Sequence, residues 1–192
     1  MHTTTTTTLD GLAAAVRTRL AGSPRWTLRT DPPGRAVVVA TAAPVAATLV
    51  AAAIGDDPYA DTVLGYAATR ARERGAPLRA VHVWTGRAAT VRARPDSPAQ
   101  ADLLLSAVVW RALPPDERER VEREILHDRI PVRALLALSR TVGLLVVAAG
   151  RTADALTGRT ACPLAIVPPP PRRVRFGDIG PARRAGTGRR WR

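Results

Sequence analysis

Hydrophobic and polar positions change period several times along the chain, and each change marks an element. Leu9, Leu12, Val16 and Leu20 recur at the spacing of one helix face, which predicts a helix over 9–20 with Asp10 near its start. Trp26–Thr30 and Arg35–Val39 are short runs rich in β-branched residues, and they flank Asp31-Pro32-Pro33-Gly34, a hairpin signature. A second reading is open here. The stretch TDPPGRAVVVAT resembles HDRIPVRALLALS at 127–139, and an internal repeat would make residues 35–43 helical.

Leu49–Ile54 is a continuous apolar run ending at Gly55, as a strand buried on both faces reads. Asp57 is a suitable N-cap and Pro58 suits a first helical position. Ala60, Val63, Leu64, Ala67 and Ala71 then share one face of a helix reaching about Arg74, closed by Gly75. Leu78–Trp84 reads as a strand, and Gln100 to about Leu113 as a helix with Leu104, Val108 and Trp110 turned inward. Asp116–Leu126 is open: its charges suit a helix, while Val121–Leu126 suits an edge strand. Pro131 opens a further helix (Ala134, Leu135, Leu138). The segment Gly143–Val167 is strand, short helix, strand, with the junction Ala149-Gly150-Arg151-Thr152. Strands alternating with helices of this length imply βαβ units and a parallel sheet.

Four segments follow: a disordered N-terminus (1–7), a helix-plus-strand extension (8–47), an α/β domain (48–168) and a disordered Arg-rich tail (169–192). Ala36–Ile54 approaches the length of a membrane span, but Thr41, Pro44 and Thr48 break it, so no membrane association is expected. The opening MHTTTTTT lacks the basic and apolar regions of a signal peptide, and the expected location is the cytoplasm. One cysteine, Cys162, excludes an internal disulfide and a thiolate metal cluster, and it reads as a small buried hydrophobe. Residues 168–192 hold eight Arg and one Asp and so more than half of the net charge of +13. That tail (Arg172, Arg173, Arg175, Arg183, Arg184, Arg189, Arg190, Arg192) has the composition of a non-specific nucleic-acid binder. All basic residues are Arg, however, with no Lys in the chain, a bias that weakens the inference from charge to nucleic acid.

Gly55–Trp84 (GDDPYADTVLGYAATRARERGAPLRAVHVW) resembles the opening of the universal stress protein family. There a strand ends at an Asp, a tight turn starts a helix, and RGA precedes a strand ending near VHVW. Trp110-Arg-Ala-Leu, Val121-Glu-Arg-Glu-Ile-Leu and Ile130-Pro-Val-Arg follow the family's second half in order, and Leu144–Val147 and Cys162–Val167 match its last two strands. The resemblance covers residues 48–168. It implies an α/β fold with a five-stranded parallel doubly wound sheet, here with an extra N-terminal helix and strand segment. It also implies a homodimer paired through the last strand and a stress or regulatory role without turnover.

Many members bind ATP through the Asp ending the first strand and through G-x2-G-x9-G-[ST] after the fourth. Here Gly55 stands where that Asp falls, with Asp56 and Asp57 after it. Gly150 matches the last glycine, the G-x2-G-x9 segment before it is absent, and Arg151 replaces the hydroxyl residue, with Thr152 beside it. The expectation is a non-catalytic stress-response module with a lost or weakened ATP site, no cofactor, and an unidentified protein partner. The alternative retains ATP or another adenine nucleotide, with Ile54, Gly55, Asp56, Asp57 and Val83 around the nucleoside and Gly150, Arg151 and Thr152 at the phosphates. Each residue also has a plainer role: Gly150 at a tight junction, Asp56 and Asp57 as helix caps, His82 as a satisfied core or edge histidine. His127 and Asp128 are adjacent in a strand and point to opposite faces, so they form no relay.

Overall fold

A computed structural model describes residues 8–21, 23, 25–31, 36–41, 47–86 and 97–169. The expectations for residues 1–7 and for the tail arginines Arg172 to Arg192 lie outside these residues. Helix α1 (Leu9–Leu20) is capped by Thr8, whose Oγ1 accepts from Gly11 N at 3.2 Å, and it buries Leu12, Ala13 and Val16. Strands β1 (Trp26–Asp31) and β2 (Ala36–Thr41) pair antiparallel, with Trp26 opposite Thr41 and Asp31 opposite Ala36. The hairpin reading therefore holds, and the helical repeat does not. Val37, Val38 and Val39 are stiff at χ1 and pack on a pleated surface better than on a helix.

Strand β3 (Val50–Ala53) leads to α2 (Ala60–Arg74), which starts two residues beyond Pro58. Asp57 does not cap it from the N-cap position. Its Oδ1 accepts from Tyr59 N at 2.8 Å and closes a turn ahead of the helix. Gly75 ends α2 in the left-handed region (φ 57), as expected. Then come β4 (Leu78–Trp84), α3 (Pro98–Ala112), α4 (Pro115–Arg118) and β5 (Val121–His127), so the ambiguous stretch is a short helix followed by an edge strand. The chain continues as α5 (Pro131–Leu138), β6 (Leu144–Ala148), α6 (Arg151–Leu156) and β7 (Leu164–Val167). Trp110 is not turned inward: it is 69 % exposed. Ala101, Leu105, Val108 and Val109 form the buried stripe of α3, and Trp110 falls outside it, with the Arg118 guanidinium 4.1 Å from its ring centroid.

Among the described residues the sheet has seven strands, in the order β1-β2-β7-β6-β3-β4-β5, not five. Its β3–β7 portion is parallel, while β2 joins β7 antiparallel, so the sheet is mixed. Side chains alternate between two cores. Val50, Ala52, Leu144 and Val146 face α2 and α3, whereas Ala51, Leu145 and Val147 face α1, α5 and α6. The fold is thus doubly wound, as expected, but extended at one side by the N-terminal hairpin. Val37–Val39 lie opposite Ile166–Leu164, while the other side of β7 is taken by β6. The last strand therefore offers no free edge for the homodimer pairing that the resemblance implies, and a second copy could add there only by displacing β2.

Candidate functional site

Reading the parallel strands from β5 through β4 and β3 to β6, chain order reverses between β3 and β6. At such a switch point the connections leave in opposite directions and open a crevice at the carboxyl ends of the strands. Three junctions build it here.

The first is Ile54–Tyr59. Ile54 N donates to Val81 O at 2.7 Å, which extends the β3–β4 ladder to the crevice. A Cβ on Gly55 would collide with the Asp57 carboxylate, so glycine there leaves Asp57 room to fold back onto the Tyr59 N–H.

The second junction is the end of β4. His82 is 8 % exposed, and its Nδ1–H donates to Ile54 O at 2.9 Å. A carbonyl only accepts, so Nδ1 carries a proton in this contact. Two positions on, the Trp84 ring lies 4.7 Å from the His127 ring, tilted by 33°. Gly86 has φ 67, and a Cβ there would sit 3.0 Å from His127 Nε2. His127 and Asp128 form no relay. Asp128 accepts from Ile130 N at 2.8 Å and from Arg133 Nε at 2.7 Å, and these contacts, Arg133 first, hold its carboxyl below the usual range. They fix the start of α5, which brings Pro131 and Leu135 to the crevice.

The third junction is Ala149-Gly150. Ala149 N donates to Val167 O at 2.8 Å, and one residue later Gly150 adopts φ 150, ψ −167, a region open essentially to glycine alone. Asp154 N then donates to Gly150 O at 2.9 Å and α6 has begun. Two residues separate β6 from α6, so no glycine-rich curve precedes the helix.

All eight residues singled out from the sequence, Ile54, Gly55, Asp56, Asp57, Val83, Gly150, Arg151 and Thr152, line one cavity of about 380 Å³. Its buried walls are mostly apolar, with Val81, Leu135 and Val147 beside the polar ring of His82, and Asp56, Asp57 and Arg151 are exposed at its rim. Sequence reasoning did not assign Tyr59, Trp84, Pro131 or Leu135 to it. The signal for Trp84 was its place as the last residue of a strand ending at the switch point; Pro131 and Leu135 arrive from a separate helix and left none. The arrangement suits a flat apolar body with hydroxyls or an anion at the rim. Among the described residues, no group of three or more His, Cys, Asp or Glu could hold a metal ion, and no helix is long and apolar enough to cross a membrane. Cys162 does not line the cavity; it is buried at the approach to β7, and burial pushes its thiol up to about 11.

A model of the universal stress protein family matches residues 48–151. Among solved structures, the fold is similar to a universal stress protein from Archaeoglobus fulgidus in complex with dAMP, at 21% identity and a TM-score of 0.50 over 64% of this chain and 98% of that one. It is similar also to a structure of universal stress protein from Archaeoglobus fulgidus, at 19% identity and a TM-score of 0.50 over 64% of this chain and 99% of that one. No curated protein matches the chain.

Proposed function

This chain belongs to the universal stress protein family, and from that membership we propose that it is a non-catalytic regulatory module whose cavity takes an adenine nucleotide with a weakened phosphate grip. The observation that carries this reading is the convergence of Ile54–Asp57, Val83 and Gly150–Thr152 on one cavity. Its volume of about 380 Å³ falls in the range of about 300–1,000 Å³ usual for small-ligand pockets. The apolar wall of Val81, Val83, Leu135 and Val147 fits a base, and the Asp56 and Asp57 carboxylates can accept from ribose hydroxyls. A relative of the same fold holds dAMP.

The phosphate end is reduced to Arg151, Thr152 and the first turn of a six-residue helix. A cradle for a triphosphate needs several N–H groups in a glycine-rich curve. Without it, the extra negative charge of ATP approaches Asp56 and Asp57 with few compensating donors. AMP should therefore bind at least as well as ATP. Thermal unfolding with millimolar AMP and with Mg-ATP tests this. Ligand at 100 times its dissociation constant adds about 2.7 kcal/mol, several degrees for a chain of this size. A rise with AMP equal to or above that with ATP supports the reading. No rise with either removes nucleotide from the function, and steady release of phosphate from ATP removes the non-catalytic assignment.

A further inference from the structure

We propose that His82 is a positioning residue of this cavity. Its Nδ1–H holds the Ile54 carbonyl at the point where β3 parts from β4, and so fixes the nucleoside rim Gly55–Asp57. The inference rests on the nucleotide reading above. Among the described residues three polar side chains are buried, His82, Ser139 and Thr160, and each of them bonds main-chain groups. Ser139 Oγ donates to Leu136 O and accepts from Ala161 N, and Thr160 Oγ1 donates to Cys162 O, so both hold the chain away from the cavity. Of the three, His82 is the one that lines it.

The bond stands where the sheet forks. Ile54 N donates to Val81 O at 2.7 Å, the last rung between these two strands among the described residues, and the register ends with Ala53 opposite Val81. In a parallel pair the next rung would run from Val83 N to Ile54 O. That rung is not formed, and His82 Nδ1–H donates to Ile54 O instead, at 2.9 Å. Strand β3 ends at Ala53, while β4 runs on to Trp84 beside β5. One side chain of β4 therefore ties down the carbonyl from which Gly55, Asp56 and Asp57 depart, next to Val83 on its own strand. These are the residues that meet the nucleoside in the reading above.

Stability alone gives little reason for a histidine here. Side chains alternate along a strand, which puts His82 on the same side of the sheet as Leu78 and Ala80 in the apolar core under α2 and α3. An aliphatic side chain could continue that stripe. Burying an imidazole there costs desolvation that a single hydrogen bond does little more than offset. What the imidazole adds is direction, since a site is only as well placed as the hydrogen bonds behind its contacting groups. The far end of the rim is held in the same way, with Asp57 Oδ1 accepting from Tyr59 N at 2.8 Å.

The test compares His82→Leu, which cannot donate, with His82→Asn, whose Nδ2 stands where Nδ1 stood and can donate to Ile54 O. AMP should bind about tenfold more weakly to His82→Leu, and within about threefold of the wild type to His82→Asn. Melting temperatures should run the other way. The asparagine variant should be the less stable, because it sets a shorter polar side chain against the apolar core. Affinity then follows the donor and not the stability, which a merely structural residue would not produce. Equal AMP affinity in His82→Leu and the wild type overturns the proposal, and so do affinities that fall in step with melting temperature. A folded His82→Asn that binds about tenfold more weakly overturns it as well, and that outcome is read even if His82→Leu does not fold. A wild type that binds no AMP overturns both readings, whereas one whose AMP affinity neither substitution moves overturns this one alone.

Discussion

Asp31 ends β1, where its carboxylate accepts from the Tyr66 hydroxyl and pairs with Arg70 at 3.0 Å, the two charged side chains being 12 % and 17 % exposed. Burial, and then the bond to Asp31, push the Tyr66 phenol far above its ordinary range, so it stays a neutral donor. Asp31→Ala would remove the hairpin's acceptor from Tyr66 and Arg70, leaving Arg70 bonded to Glu73 of its own helix alone. Losing these bonds to a charged acceptor should cost about 1–3 kcal/mol, a few degrees of melting temperature, and an unchanged melt would show the contact to be idle. Tyr66→Phe should cost about 1 kcal/mol. No local pattern revealed this cluster, because its members lie 35 and 39 positions apart. Cys162, by contrast, was legible as a buried small hydrophobe. Its thiol stays neutral in the fold up to about 11, against a reference of 9.0. Folding therefore loses stability as pH rises from about 9 through about 11, where only the unfolded thiol ionises. Alkylation of Cys162 at pH 8 should be slow in the native protein and fast in denaturant; equal rates would contradict its burial.

Two glycines show how an element sets the meaning of a residue. Gly65 is within α2, and a Cβ there would meet nothing within 4 Å. Gly65→Ala should raise stability by about 0.5–1 kcal/mol through helix propensity. Gly143 precedes β6, where its N–H donates to Leu49 O at 2.8 Å, and a Cβ would overlap the Ala47 carbonyl. Backbone cannot swing aside as a side chain can, so Gly143→Ala should cost about 2 kcal/mol or more. Denaturant melts of the two variants check the opposite signs. At this scale much was legible: α1 and β4 fall where their hydrophobic periods place them, and Gly75 ends α2. The start of α2 was not, because Asp57 has the chemistry of a cap and spends it on a turn one step earlier. Trp110 departs from the inward expectation because hydrophobicity alone does not bury a residue: helix geometry gives the buried stripe to Ala101, Leu105, Val108 and Val109.

The N-terminal extension changes what the whole molecule presents. With β2 seated on β7, the outer strands are β1 and β5, and the charged face of β5 carries Glu122 and Glu124, both paired with Arg79. Hydrogen exchange tests the covering of β7. Amides of Leu164–Val167 should stay protected at every dilution, including concentrations at which sedimentation shows monomer. Protection lost on dilution would mean that a second copy, rather than β2, holds that strand. One sequence signal pointed this way. A run as apolar as Ala36–Val39 suits a strand buried on both faces, and all four residues are at most 2 % exposed.

The sequence by itself determined the kinds of element, their order, the doubly wound α/β class and the strand-end residues worth watching. The elements, their order and the class follow from local period and local turn chemistry, which a residue carries wherever its segment is placed, while the strand-end residues follow from the resemblance to the family. Tertiary structure decided that the hairpin extends the sheet beyond β7 and that Ile54–Asp57, Val83 and Gly150–Thr152 share one cavity. Those outcomes depend on which distant segments meet. A one-dimensional pattern records that a face must be buried, and leaves the choice of what buries it to the packed chain.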